Sequence, residues 1–265
     1  MLSDLDGGRS LRPNRPWMSP PSPVQVQAVI VLTASAMAVF LAAELMGPSV
    51  GMKRSASFAG LMIFAPIGFL VLRYLYLYPH EAFGPANATT TFRAALAAGV
   101  GGIVTAVLPA GQAPASSLLW VVTGISALFL ALDGMDGFLA RRSGTASRYG
   151  ARFDMEVDAF LILLLSALAA ITHKAGPWVL MVGLMRYVFI LAQLLIPQMR
   201  GRLPDSLRRK VICVFQGAAL AVALMPVVAH AVSAPLLGLA LVSLTYSFAA
   251  DAAYLLAKQE VASEP

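Results

Sequence analysis

Along most of this chain apolar residues run in long unbroken blocks, and polar residues gather in the gaps between them. Eight such blocks are legible, at about residues 24–46, 56–79, 92–110, 116–136, 152–172, 176–198, 211–230 and 234–257. Each is long enough to cross a hydrocarbon layer of about 30 Å, which takes about 20 residues of helix. The pattern therefore predicts an all-α integral membrane protein of about eight transmembrane helices. Gly47-Pro48, Gly84-Pro85 and Gly176-Pro177 fall in the gaps and mark turns. No internal repeat is visible.

Residues 1–23 break the pattern. They are polar, carry Arg9, Arg12 and Arg15, and hold a cluster of prolines from Pro13 to Pro23. Such a segment buries too little to order itself and is predicted to be a disordered tail. The apolar run after it is too long for a signal-peptide core and no cleavage site follows, so the tail is not read as a removed leader. Residues 258–265 form a second short tail.

Composition sharpens this picture. Of the 265 residues 58% are hydrophobic and 12% charged, against roughly 25% charged in soluble domains, and the mean hydropathy is +0.76. A soluble domain is excluded. Cys213 is the sole cysteine, so the chain can form no intrachain disulfide and no cysteine-based metal centre. The net charge of +6 is read as basic loops on one side of a membrane, not as a nucleic-acid surface.

That charge also orients the chain. With the N-terminus inside and the spans alternating, the inside regions hold 15 of the 19 Lys and Arg residues, and the outside loops hold only Lys53, Arg54 and Lys174. Arg186 lies within a span. Positive charge marks the cytoplasmic side, so both termini and the loop between the fourth and fifth spans are expected there, most simply in a cell inner (plasma) membrane.

The stretch from Leu132 to Asp158 holds five of the thirteen acidic residues, Glu156 and the aspartates Asp133, Asp136, Asp154 and Asp158. The first pair is spaced i, i+3 and the second i, i+4, so on helices each pair shares a face, with β-carbons about 5–6 Å apart. Gly137, Ala140 and Arg141 extend the first face, and Gly150 precedes Asp154 by one turn. Carboxylates at the ends of adjacent membrane helices repel one another and are costly to desolvate. Hard divalent cations prefer oxygen ligands, so two helices with two carboxylates each suit Mg²⁺ or Mn²⁺. With an arginine alongside, the set reads as a phosphoryl or pyrophosphate site. The bland alternative, ordinary interfacial charge, accounts for any one of these acids but poorly for the ordered set.

The order Asp-x-x-Asp-Gly-x-x-Ala-Arg, eight residues, Gly, three, Asp, three, Asp resembles the signature of the CDP-alcohol phosphotransferase family. Asp133, Asp136, Gly137, Ala140, Arg141, Gly150, Asp154 and Asp158 fill all of its fixed positions. Upstream, Asn87, Thr90 and Arg93 resemble the family's Asn-x-x-Thr-x-x-Arg. The resemblance implies a six-helix catalytic core over residues 87–257, preceded by two extra transmembrane helices within 24–79. It also implies a homodimer and a cytoplasm-facing active site. By resemblance Asp133, Asp136 and Asp154 hold two metals, and Asp158 shares metal binding with the duty of general base. Arg141 clamps a phosphate, while Gly137 and Gly150 let cytidine and phosphate lie against the helices.

The implied reaction moves a phosphatidyl group from CDP-diacylglycerol to a small polar alcohol and releases CMP, in phospholipid biosynthesis. The signature equally fits the converse, a soluble CDP-alcohol donor with a lipid acceptor. A divalent-cation or anion transporter is the rival of a different class, though its acids belong near the membrane midplane of broken helices, often within an inverted repeat.

Outside the signature, Arg186 within the sixth span needs a partner or an anion, and Asp251 is a candidate partner. Arg200, Arg202, Arg208, Arg209 and Lys210 are read first as positive-inside charge against anionic lipid headgroups. Their sharper reading, with Arg186 and Arg209 foremost, is a pocket for an acceptor phosphate of the glycerol 3-phosphate or inositol phosphate kind. Family members with phosphorylated acceptors often carry Lys-Thr and a following Gln here, where this chain has Lys210-Val211 and Gln216. Glu156 is expected to pair with Arg152, its i−4 neighbour.

Overall fold

A computed structural model of the chain describes residues 22–110, 114–142, 144, 146–199, 201, 203–204 and 206–263, without the side chains of 110, 136, 138–141 and 258–263. The tail expected over 1–23 lies outside these residues except for its last two. Eight helices stand where the eight apolar blocks were read: α1 (Pro23–Met46), α2 (Arg54–Arg73), α3 (Gly84–Val107), α4 (Ser116–Arg142), α5 (Arg148–Ile171), α6 (Leu180–Leu195), α7 (Leu207–Leu224) and α8 (His230–Ser263). Among the described residues there is no strand.

Six of the eight, α1 to α4, α6 and α8, are long and apolar enough to cross a membrane. The other two carry charge in their opening turns: Arg148, Arg152, Asp154, Glu156 and Asp158 on α5, and Arg208, Arg209 and Lys210 on α7. Both are enclosed by neighbours, α5 by α3, α6 and α7, and α7 by α4, α5 and α8. Each of the two helices least suited to lipid thus packs on three neighbours.

Local chemistry explains the ends. Ser22 and Gln25 close a capping box on α1, with Ser22 N donating to Gln25 Oε1 at 2.9 Å and Gln25 N donating to Ser22 Oγ at 3.4 Å. Ser147 caps α5, its Oγ accepting from Gly150 N at 3.0 Å. The third helix starts well before its apolar block, because Gly84 turns the chain at φ +75° and Pro85 takes a first-turn position that costs no hydrogen bond. The second stops short of its block, giving way to a 3₁₀ turn at Leu75–Leu77.

The third helix is the hub, packing against α1, α2, α4 and α5, with most of its length buried. Its contact with α2 is backbone-close. A Cβ on Gly102 would collide with the Ala56 carbonyl oxygen, and one on Gly60 would meet the Ala98 carbonyl at 3.2 Å. Small residues at four-residue spacing on both helices allow this, and in lipid such close van der Waals packing is what holds helices together. At one end of the bundle Lys174 Nζ donates to the carbonyls of Met225 (2.7 Å) and Val228 (2.6 Å), joining the α5–α6 and α7–α8 connections. The acidic residues of the signature lie at the other end.

Candidate active site

Three helices meet at that end. The fourth supplies Asp133, the fifth supplies Asp154 and Asp158 one turn apart, and the third supplies Arg93. The Asp133, Asp154 and Asp158 carboxylates each place an oxygen within 4.8 Å of the others. Their side chains are 26%, 32% and 19% exposed, so the trio opens to one side, whereas Arg93 behind it is 0% exposed.

Arg93 is held by all three acids. Its Nη2 lies 2.7 Å from Asp133 Oδ1 and donates also to Asp158 Oδ1, while Nη1 donates to Asp154 Oδ1 at 2.5 Å. Its Cζ sits 4.3 Å from the centroid of the Phe129 ring, one helical turn before Asp133. A guanidinium buried in a membrane helix needs counter-charge, and among the described residues one cation faces three carboxylates, a set with negative charge in excess. That excess is what a divalent cation would neutralise. Hard oxygen donors at this mutual distance, open on one side, fit Mg²⁺ or Mn²⁺.

Asn87, Thr90 and Arg93 lie on one face of α3 and are all buried. Asn87 Nδ2 donates to the Phe83 carbonyl at 2.7 Å, and its Oδ1 would be 3.0 Å from a Cβ placed on Gly150. Thr90 Oγ1 donates to Ala86 O at 3.1 Å. A side chain at 150 would therefore crowd the Asn87 amide oxygen. Gly137 lies on α4 one residue beyond Asp136. The side chains of Asp136, Ala140 and Arg141 fall outside the described residues, so their roles rest on the spacing of the signature.

Two pairings differ from the sequence reading. Arg186 does not meet Asp251; its Nη2 donates to Glu156 Oε1 at 2.7 Å, tying α6 to α5. Glu156 is thus engaged by an arginine thirty residues away, not explained by Arg152 on its own helix, because α5 and α6 pack with this face between them. Asp251, 6% exposed at the side chain, instead takes Arg208 Nη2 at 2.5 Å and Arg209 Nη1 at 3.2 Å. Arg208 also lies 5.7 Å from the Tyr246 ring centroid. Only Arg209 of the two donates as well to the Pro204 carbonyl. Arg200 and Arg202 lie outside the described residues.

Sequence spacing missed other neighbours of the trio. Cys213 Sγ lies 4.0 Å from Asp158 Oδ2, which brings α7 to the carboxylates. Phe129 beneath Arg93 reads in the sequence as an ordinary apolar residue, although its i+4 relation to Asp133 placed it on the right face.

A family model described as CDP-alcohol phosphatidyltransferase matches residues 83–247, from the N-cap of α3 into α8. Helices α1 and α2 lie outside the match. No curated protein and no solved structure matches the chain.

Proposed function

Because this chain belongs to the CDP-alcohol phosphatidyltransferase family, we propose that it transfers a phosphatidyl group from CDP-diacylglycerol to a small polar alcohol, releasing CMP. The observation that carries this reading is the meeting of Asp133, Asp154 and Asp158 in front of a buried Arg93. With Asp136, these acids would hold Mg²⁺ or Mn²⁺. A cation bound there supplies neutralising charge for the donor diphosphate and for the departing CMP.

The chain's own groups do the rest. Arg141 grips a phosphate oxygen, and the bare backbones at Gly137 and Gly150 leave room for cytidine and diphosphate along α4 and α5. Asp158 receives the proton of the acceptor hydroxyl as that oxygen bonds to the β-phosphorus. The bond from this phosphorus to the bridging oxygen breaks, and CMP leaves with the oxygen. Asp158 suits the base role because it is the least exposed of the trio, with Oδ1 on Arg93 and Oδ2 toward α7.

The acceptor reading rests on α7 and α8. Two arginines share the single carboxylate of Asp251, and Lys210 adjoins them, so among the described residues this corner has positive charge to spare. An acceptor phosphate would match it with charge-assisted hydrogen bonds. Arg186 has its charge met by Glu156 and contributes less. We therefore take a phosphorylated polyol as the acceptor, with the site on the cytoplasmic face of the plasma membrane, as the distribution of basic residues supports, and the chain in a homodimer, as the family resemblance implies.

The test is direct. Purified protein with Mg²⁺ or Mn²⁺ is given CDP-diacylglycerol and a panel of alcohols, and CMP release is measured. Release only from a soluble CDP-alcohol with diacylglycerol would establish the converse polarity. No release from either donor would sink the transfer reading.

A further inference from the structure

The family match begins at residue 83, yet the two helices before it reach into the site. Phe83 is the N-cap of α3, and its backbone N–H, which the helix itself cannot satisfy, donates to Gln27 Oε1 of α1 at 2.9 Å. Its carbonyl accepts from Asn87 Nδ2 at 2.7 Å and from the Tyr78 hydroxyl at 3.3 Å. With its amide nitrogen engaged on Phe83, Asn87 is left with Oδ1 turned to Gly150.

Gly150 is held from the other side. Tyr149, its neighbour in the first turn of α5, donates its hydroxyl to the Val71 carbonyl at 2.8 Å. Val71 lies in the last turn of α2, where carbonyls lack an intrahelical partner. The Tyr149 ring lies 5.6 Å from that of Tyr78. Asn87 and Gly150, which face each other across the signature, are thus fixed one through α1 and the other through α2.

We infer that Gln27 and Tyr149 are positioning residues by which the N-terminal helix pair sets the Asn87–Gly150 spacing and so the affinity for the nucleotide end of the donor. The inference rests on the proposed reading of Gly150 as the place where the CDP moiety lies. The carboxylate trio is held by Arg93 further along α3, so loosening the Gln27 or Tyr149 contact acts first on the nucleotide cradle and less on the reacting end.

The experiment uses the full chain in detergent or nanodiscs, with Gln27→Ala, Tyr149→Phe and the rescue variant Gln27→Glu, which keeps an acceptor oxygen for Phe83 N–H. Two quantities are read: steady-state constants for CDP-diacylglycerol and the acceptor, and CMP affinity by calorimetry with Mn²⁺. Loss of either hydrogen bond is expected to raise the donor KM and weaken CMP binding about tenfold, while kcat and the acceptor KM stay within about threefold. Gln27→Glu restores both donor values. Unchanged CMP affinity in both Gln27→Ala and Tyr149→Phe overturns the inference, as does an equal loss in kcat and both KM values, which marks a merely structural role. Tyr149→Phe keeps the ring and reads the inference even if Gln27→Ala fails to fold. A wild type that binds CMP but transfers nothing would sink the transfer reading and leave the affinity comparison intact, whereas a wild type that does not bind CMP would sink both.

Discussion

Arg93 and Asp154, 61 residues apart in sequence, stand 2.5 Å from each other, with the arginine wholly buried and the aspartate a third exposed. The cation is the enclosed partner, and the anions form the open rim. Removing it leaves three carboxylates facing one another without the buried cation that all of them meet.

Arg93→Gln is therefore expected to lower stability most when divalent cations are absent. Breaking a buried ion pair by removing one partner costs about 3–5 kcal/mol, and the exposure of these acids reduces that to about 1–3 kcal/mol by solvent screening. Thermal unfolding in detergent should show a lower midpoint than wild type in chelator, with much of the gap closed by Mn²⁺. Arg93→Lys should lie between the two. Equal midpoints for wild type and Arg93→Gln in chelator would mean that the guanidinium does not hold the trio.

Asp133→Asn and Asp154→Asn each remove a charged oxygen donor from the same place. Either should cut CMP release by about a hundredfold or more with the protein still folded. Chelation of wild type should match that loss, and Mg²⁺ or Mn²⁺ should restore it. Asp158→Asn separates its two roles: as a base it should lose turnover but retain metal-dependent donor binding. If donor binding vanishes with it, Asp158 is a ligand first.

The eight helices and the carboxylates were legible because each depends on local spacing. Apolar blocks long enough to span lipid foretold every helix, and i, i+3 and i, i+4 spacing put the acids on common faces. What escaped depended on which faces pack together. Nothing local in Arg186 or Glu156 announces their pairing, which exists because α6 lies on α5. Likewise Gln27 reads as a polar residue in the first turns of an apolar helix, and only the fold carries it to Phe83. Six of the eight helices, α1 to α4, α6 and α8, are long and apolar enough to cross a membrane. In α5 and α7 the charged opening turns leave a shorter apolar stretch behind them.

The orientation read from the basic residues is testable through the α4–α5 connection. In a Cys213→Ala background, a single cysteine at exposed Ala146 is expected to resist an impermeant thiol reagent in intact cells and to react after permeabilisation. Labelling of intact cells would put the carboxylates on the wrong side for a cytoplasmic CDP-linked donor.

The acceptor is decided at Asp251. Because its one carboxylate faces Arg208 at 2.5 Å and Arg209 at 3.2 Å, Arg209, held otherwise by the Pro204 carbonyl, gives up less carboxylate pairing when it turns toward an incoming phosphate. Loss of one charge-assisted hydrogen bond costs about 1.5–3 kcal/mol, roughly ten- to a hundredfold in affinity. Arg209→Ala should therefore raise the KM of a phosphorylated acceptor by about that factor and leave the donor KM nearly unchanged. Arg208→Ala removes the closer partner of a buried carboxylate and should lower stability as well. Arg186→Ala, which breaks only the partly exposed Glu156 pair, should move the acceptor KM far less. A neutral alcohol that turns over as fast as its phosphate ester, or an acceptor KM indifferent to Arg209→Ala, would return this corner to ordinary positive charge at a membrane surface. The two mutants also distinguish phosphate recognition from general electrostatics. A screened surface field would weaken equally with either arginine gone and fade in high salt, whereas a bound phosphate depends on Arg209 in particular and keeps most of that dependence when salt is raised.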